Sequence, residues 1–215
     1  MYDVQSMYLR RARIIASILS FAPFVRMIAL TGSLARREAR EKSDIDFFIV
    51  TKANRLWSGR AFVSILIHLT GYRRYDMKIA GRICLNCYQT EDHLTVNPNT
   101  IKNAKDYSNI KILYQSHGLA KRFIKANKWI NDKGYQFINI DPKARGNIVA
   151  SFLRWIFEAL YELFFNDWGE KQLRAYQIRR ILRDPRTQSA KSGQIYISDQ
   201  ELRFHPPKEG IDTKD

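Results

Sequence analysis

Cysteine, proline, glycine and acidic side chains are all scarce in this chain, and each shortage excludes something. Two cysteines, Cys84 and Cys87, are too few for a disulfide scaffold. Ten glycines and six prolines in 215 residues exclude collagen-like or linker-dominated architectures. The most apolar windows, Met27 to Thr31 and Ala61 to Leu69, fall short of the ~18 residues that span a bilayer. Met1, Tyr2 and Asp3 do not open a basic-then-apolar leader, so a reducing, cytoplasmic setting is expected. Only twenty-one acids stand against thirty-six Lys and Arg, a formal charge of +15. A surface of that sign attracts polyanions, which fits nucleic acid, nucleotides or an anionic membrane and disfavours a cationic small molecule. What is plentiful is core-forming material, since 45% of residues are hydrophobic and 13% aromatic.

Apolar spacing predicts a helix over Val4 to Leu19, ended by Pro23, then a buried strand over Phe24 to Thr31. Leu34 to Lys42 reads as a short helix or turn, Asp44 to Val50 as a strand, and about Asn54 to Leu69 as a helix closed by Gly71. A third strand is expected at Arg82 to Tyr88, with Leu94 to Val96 extending a hairpin. Beyond Pro98 come a short strand at Ile110 to Leu113 and helical spacing at Leu119, Phe123 and Ile124. Arg145 to about Leu182 is long, aromatic and helical, with Phe152, Trp155, Ile156, Leu160, Leu163 and Phe164 on one face and a break at Asn166, Asp167 and Gly169. A weak strand at Gln194 to Ile197 precedes His205, Pro206 and Pro207. The expected division is a mixed domain at 1–98, a helical domain at 99–183, and a polar, partly ordered tail at 184–215.

The chemistry concentrates in Leu30 to Val50. A strand runs into Gly32 and Ser33, ten residues intervene, and the next strand opens with Asp44, Ile45 and Asp46. Residues two apart in a strand share a face, so Asp44 and Asp46 point one way while Ile45, Phe47 and Ile49 point toward a core. Paired carboxylates at the mouth of a strand suit a divalent, oxygen-seeking cation such as Mg²⁺. Gly32 permits close backbone approach, and Ser33 places a hydroxyl at a helix N-terminus that favours an anion. A phosphate cradle beside metal-binding acids equips a site for phosphoryl or nucleotidyl transfer.

In these residues the segment resembles the nucleotidyltransferase superfamily, which includes DNA polymerase β, poly(A) polymerases, CCA-adding enzymes and minimal bacterial nucleotidyltransferases. The resemblance covers about Phe24 to Tyr88 and rests on Thr31-Gly32-Ser33 and Asp44-Ile45-Asp46 in a strand context. It implies an α+β fold, a mixed sheet flanked by helices and followed by a helical C-terminal domain. It also implies Mg²⁺ or Mn²⁺ held by Asp44 and Asp46, and NTP phosphates over Gly32 and Ser33, with Arg36 and Ser43 beside them. The implied reaction is in-line attack by an acceptor on the α-phosphate. The family's third carboxylate falls on the strand Arg82 to Tyr88, where Asn86 takes its place; Asp76, Glu91 and Asp92 are the nearby acids.

Arg36, Arg37, Arg40 and Lys52 are candidates for neutralising a triphosphate. Lys171, Arg174, Arg179, Arg180 and Arg183, interleaved with Tyr176, carry the footprint expected for nucleic acid, against the plainer reading of a solvated face. Lys121, Arg122, Lys125 and Lys128 form a second cluster. Cys84 and Cys87, three apart in a strand, project to opposite faces and read as structural. Trp129, Trp155 and Trp168 read as core or inter-helix packing. Two functions follow from these residues. One is metal-dependent transfer of an NMP from an NTP to RNA, protein or a small molecule. The other is a catalytically weak module that binds nucleic acid or a protein partner, a role that includes the antitoxin half of a pair.

Overall fold

The computed structural model describes residues 3–75, 78–138, 148–190 and 195–204. In chain order the elements are α1 (Val4–Leu19), β1 (Val25–Leu30), α2 (Gly32–Ala35), β2 (Ile45–Thr51), α3 (Leu56–Leu69), β3 (Ile83–Thr90), α4 (Ile101–Ser108), β4 (Lys111–Gln115), α5 (Leu119–Ala126) and α6 (Trp129–Asp132). They continue with α7 (Ile148–Phe164), α8 (Asn166–Arg183), α9 (Pro185–Gln188), β5 (Ile195–Ile197) and β6 (Glu201–Phe204). The strands form one mixed six-stranded sheet in the order β4-β1-β2-β3-β6-β5. Only β2 and β3 run parallel, which the α3 crossover between them allows.

Both faces of the sheet are covered, so β1 is apolar at nearly every position and its residues are all buried. Alternation along β2 divides two cores. Ile45, Phe47 and Ile49 join α1, α3 and α8 on one side, while Phe48 and Val50 join α4, α5 and α6 on the other. Trp57, Tyr88, Phe48 and Phe123 are fully buried, each stabilising the fold by roughly 1.5–3 kcal/mol through burial.

The strands do not respect the expected boundaries at 98 and 184. β4 lies beside β1, and β6 pairs with β3, so the sheet draws on all three stretches. Leu94 to Val96 is not a strand. Asn127 satisfies its backbone instead, accepting from the Val96 N–H and donating to the Leu94 carbonyl, both at 2.8 Å. The long aromatic helix does break, at Asn166, whose φ is +47. Gly169 then lets α8 pass against the Tyr161 ring, where a side chain would clash. The expected helix start at Arg145, the first residue of the Gln194 strand, and His205 to Pro207 lie outside the described residues.

The aromatic face of α7 reverses the sequence expectation. Trp155 and Trp168 are 64% and 63% exposed, and Phe152, Leu163 and Phe164 are exposed with them. Polar residues face inward instead. Glu158 accepts from the Phe24 N–H and from both Arg26 Nη atoms, and Arg154 donates to the Ser20 carbonyl at 2.8 Å. Trp129 does pack, half-buried, against the second core. Among the described residues no helix is long and apolar enough to cross a membrane.

Candidate active site

The site forms where β1 ends and β2 begins. The Thr31 N–H donates to the Asp46 carbonyl at 3.1 Å, which ties the Gly-Ser turn to the aspartate strand. Gly32 has a φ of +68, a left-handed conformation that suits glycine, and a methyl group there would collide with the Asp46 carboxylate. The two halves of the sequence motif, ten residues apart, are thus in contact. Ser33 follows as the second residue of α2 and is half-buried.

Asp46 pairs with Cys84 in the parallel β2–β3 register. Oxygens of Asp44 and Asp46 and the Cys84 sulfur all lie within 4.8 Å of one another. Beyond that pair the register slips, because Phe48 faces Cys87 rather than Asn86. This irregularity overturns the expectation that the two cysteines face opposite ways. Cys84 lies beside Asp46, and Cys87 lies on the same side of the sheet, buried in the second core 3.6 Å from the Tyr107 hydroxyl. Cys84 therefore belongs to the acidic cluster. Its thiol is held well above the usual cysteine range, first by burial and then by the Asp46 and Asp44 carboxylates, with Arg74 pulling the other way.

Asn86 donates from its amide nitrogen to an Asp46 oxygen at 2.9 Å, and its own amide oxygen is buried without a partner. Arg74 closes the site from the loop before β3. Its guanidinium is paired with Asp44 and lies 3.5 Å from the Cys84 sulfur. Burial opposes the Arg74 charge, but Cys84 and Asp44 outweigh it and keep its pKa raised. Neither Cys84 nor Arg74 was singled out by spacing as a site residue; Arg74 reaches the site from the loop between α3 and β3.

Other candidates sit differently. The Ser43 hydroxyl accepts from the Arg40 N–H at 2.9 Å, which closes the turn before β2. Arg36 is paired with Asp106 on α4 and with Glu38, so its charge is already answered. Lys52 lies at the far end of β2, 3.0 Å from Glu162, which removes it from the phosphate candidates. Glu91 and Asp92 follow the far end of β3, opposite the site, and cannot serve as the third acid. Asp76 lies outside the described residues.

Residues 12–110 match the model of the nucleotidyltransferase domain family. The chain carries a nucleotidyltransferase domain. Comparison with curated proteins and with solved structures gave no match. The nucleotidyltransferase domain takes in α2, β2, α3 and β3 and ends just before β4.

Outside the nucleotidyltransferase domain, α8 presents an open groove of about 520 Å³ lined by Tyr176, Arg179, Arg180, Arg183 and Asp184. Arg174 of the same helix is paired with Asp199 at 2.6 Å. Arg60 connects this surface to the domain. Burial lowers its pKa, and the like charges of Arg73 and Arg180 add to that, so positive charge is concentrated between α8 and the loop that carries Arg74. In the second basic cluster, Arg122 donates to the Glu91 carbonyl at 2.7 Å.

Proposed function

We propose that this chain transfers a nucleoside monophosphate from an NTP to a polyanionic acceptor, with RNA as the favoured class. The observation that carries the reading is the contact between Gly32 and Asp46, with Asp44 in the same cluster and the unpartnered Asn86 oxygen beside it. Two carboxylates and an orphaned amide oxygen are hard donors, and their chemistry fits Mg²⁺ or Mn²⁺. When bound, the ion supplies charge neutralisation at the α-phosphate.

The chain's own residues do the rest. Gly32 lets the backbone of the turn approach the Asp46 carboxylate, and Ser33 offers a hydroxyl and a backbone N–H to a phosphate. Arg74 adds a positive charge at Asp44, and Asp46 is oriented by the Asn86 amide. The acceptor hydroxyl attacks the α-phosphorus as the bond to pyrophosphate breaks, and its proton passes to solvent water. Asn86 cannot take the acceptor's proton, and Cys84 is held protonated. Transfer is therefore expected to be slower than at a site with a third carboxylate, by roughly the 10²–10⁴-fold that a positioned base contributes. The excess of basic side chains, and the α8 groove with its three arginines, support RNA over a cationic acceptor.

A second reading is favoured by the Arg74–Asp44 pair and the missing acid: a module that holds nucleic acid or a protein partner and scarcely turns over. One experiment separates the two. Each NTP labelled at the α-phosphate is incubated with Mg²⁺ or Mn²⁺ and total RNA, beside an Asp44→Ala/Asp46→Ala control. The expected result is label in RNA that vanishes in the control. No transfer, with equal NTP binding by both proteins, would sink the transferase reading and leave the module.

A further inference from the structure

The three charged residues of α7 are Arg154, Glu158 and Glu162, and all of them turn inward, to the end of α1, to Arg26 of β1, and to Lys52 and Arg55 between β2 and α3. What remains outward is uncharged. Val149, Phe152, Ile156, Ala159 and Leu163 recur at alternating spacings of three and four, the pattern with which one helix packs into another. Trp155, Leu160 and Phe164 flank that seam and are 64%, 46% and 71% exposed.

We infer that α7 is a homodimer interface, its seam packed against α7 of a second copy about a two-fold axis. Three observations select this occupant. The spacing is that of a helix-against-helix contact, so the partner presents a helix, and a two-fold axis supplies the same helix from the second copy. The area suffices. Aromatic residues offer ~150–250 Å² each, so Phe152, Trp155, Phe157 and Phe164 at their observed exposures leave on the order of 500 Å² open. A stable interface needs ~800 Å² per partner, and the aliphatic residues of the seam supply the remainder. Charge also restricts the choice. The outward face of α7 carries no charged side chain, so pairing it with its own copy buries no like charges against each other. The helix packs at the Lys52 and Arg55 end of β2, the end opposite Asp46, so pairing through its outer face leaves the candidate active site open.

The test is the solution mass of the full chain by sedimentation equilibrium at micromolar concentration. The expected value is twice the 25.3 kDa of one chain, returning to one chain in Phe152→Glu/Leu163→Glu. A wild-type monomer, including one that co-sediments with phosphatidylserine vesicles, overturns the inference. So does a double variant that stays dimeric. If the double variant fails to fold, mild oxidation of Ala159→Cys decides instead. Cross-linked dimer is expected there and not for Ser17→Cys on the exposed side of α1; equal cross-linking of both overturns the interface.

Discussion

At the scale of single residues, Asn86 and Arg74 define what is unusual about the site. Asn86 donates to Asp46 without adding charge, and Arg74 balances the Asp44 carboxylate. Asn86→Asp is expected to remove the amide donor and add a like charge beside Asp46, costing about 1–3 kcal/mol without metal. Saturating Mg²⁺ is then expected to recover that loss and to raise Tm more in the variant than in the natural chain. Thermal melts with and without Mg²⁺ check this; an equal Mg²⁺ shift in both would place Asn86 outside the ion's reach. The site's outline was legible because Gly32-Ser33 and Asp44-Ile45-Asp46 are local patterns read directly from strand periodicity. Cys84 was not legible. Its place beside Asp46 is set by the long-range pairing of β2 with β3, which leaves no mark in the spacing of either strand.

At the scale of elements, the helices are fixed by polar contacts that bridge long sequence intervals. The N-terminal N–H groups of α3 at Trp57 and Ser58 are capped by Glu170, 2.8 and 3.0 Å away and more than a hundred positions along the chain. No local cap signal exists at Arg55 to announce it. The inward turn of α7 is likewise a tertiary effect. An apolar stripe reads as the buried face, but Glu158 and Glu162 find Arg26, Lys52 and Arg55 already waiting on the sheet layer, and the ion pairs take the inner position. Glu162 makes the consequence measurable. Burial works to raise its pKa, but hydrogen bonds from Arg55 and Lys52 outweigh it and leave the carboxyl below its usual range. A folded value below the unfolded one means that the contribution is present at neutral pH and is lost as pH falls through the carboxylate range. Because Glu162 is partly exposed, that contribution is expected to be about 1 kcal/mol. Glu162→Gln should lower Tm at pH 7 and converge with the natural chain below the carboxylate range, as followed by melting curves across pH. A constant difference at all pH values would assign the loss to packing.

At the scale of the whole molecule, the sequence divides more cleanly than the fold does. The strands over Val25–Leu30, Ile45–Thr51, Ile83–Thr90 and Lys111–Gln115 were each legible within a residue or two at one end or the other, as was the short strand near Ile197. Their order in the sheet was not, because β6 joins β3 across an interval that no local pattern spans. Boundaries drawn from composition therefore separated pieces that share one sheet. Ending the chain before β5 is expected to destabilise the nucleotidyltransferase domain although its matched residues stay intact. A fall in Tm together with aggregation on concentration would bear this out, and an unchanged melt would show β6 to be dispensable.

The pairing of β3 with β6 also sets a schedule. Thr90 and the Gln200 carbonyl that receives its N–H are separated by 110 residues. A ribosome needs on the order of 5–20 s to add that many, and through that interval the nascent β3 has one open edge. The Gly32-Ser33 and Asp44-Asp46 motif is translated well before the strand that shields its sheet. A stall in that window would present an unpaired edge to neighbouring nascent chains, so the pace of elongation between β3 and β6 governs the yield of native protein.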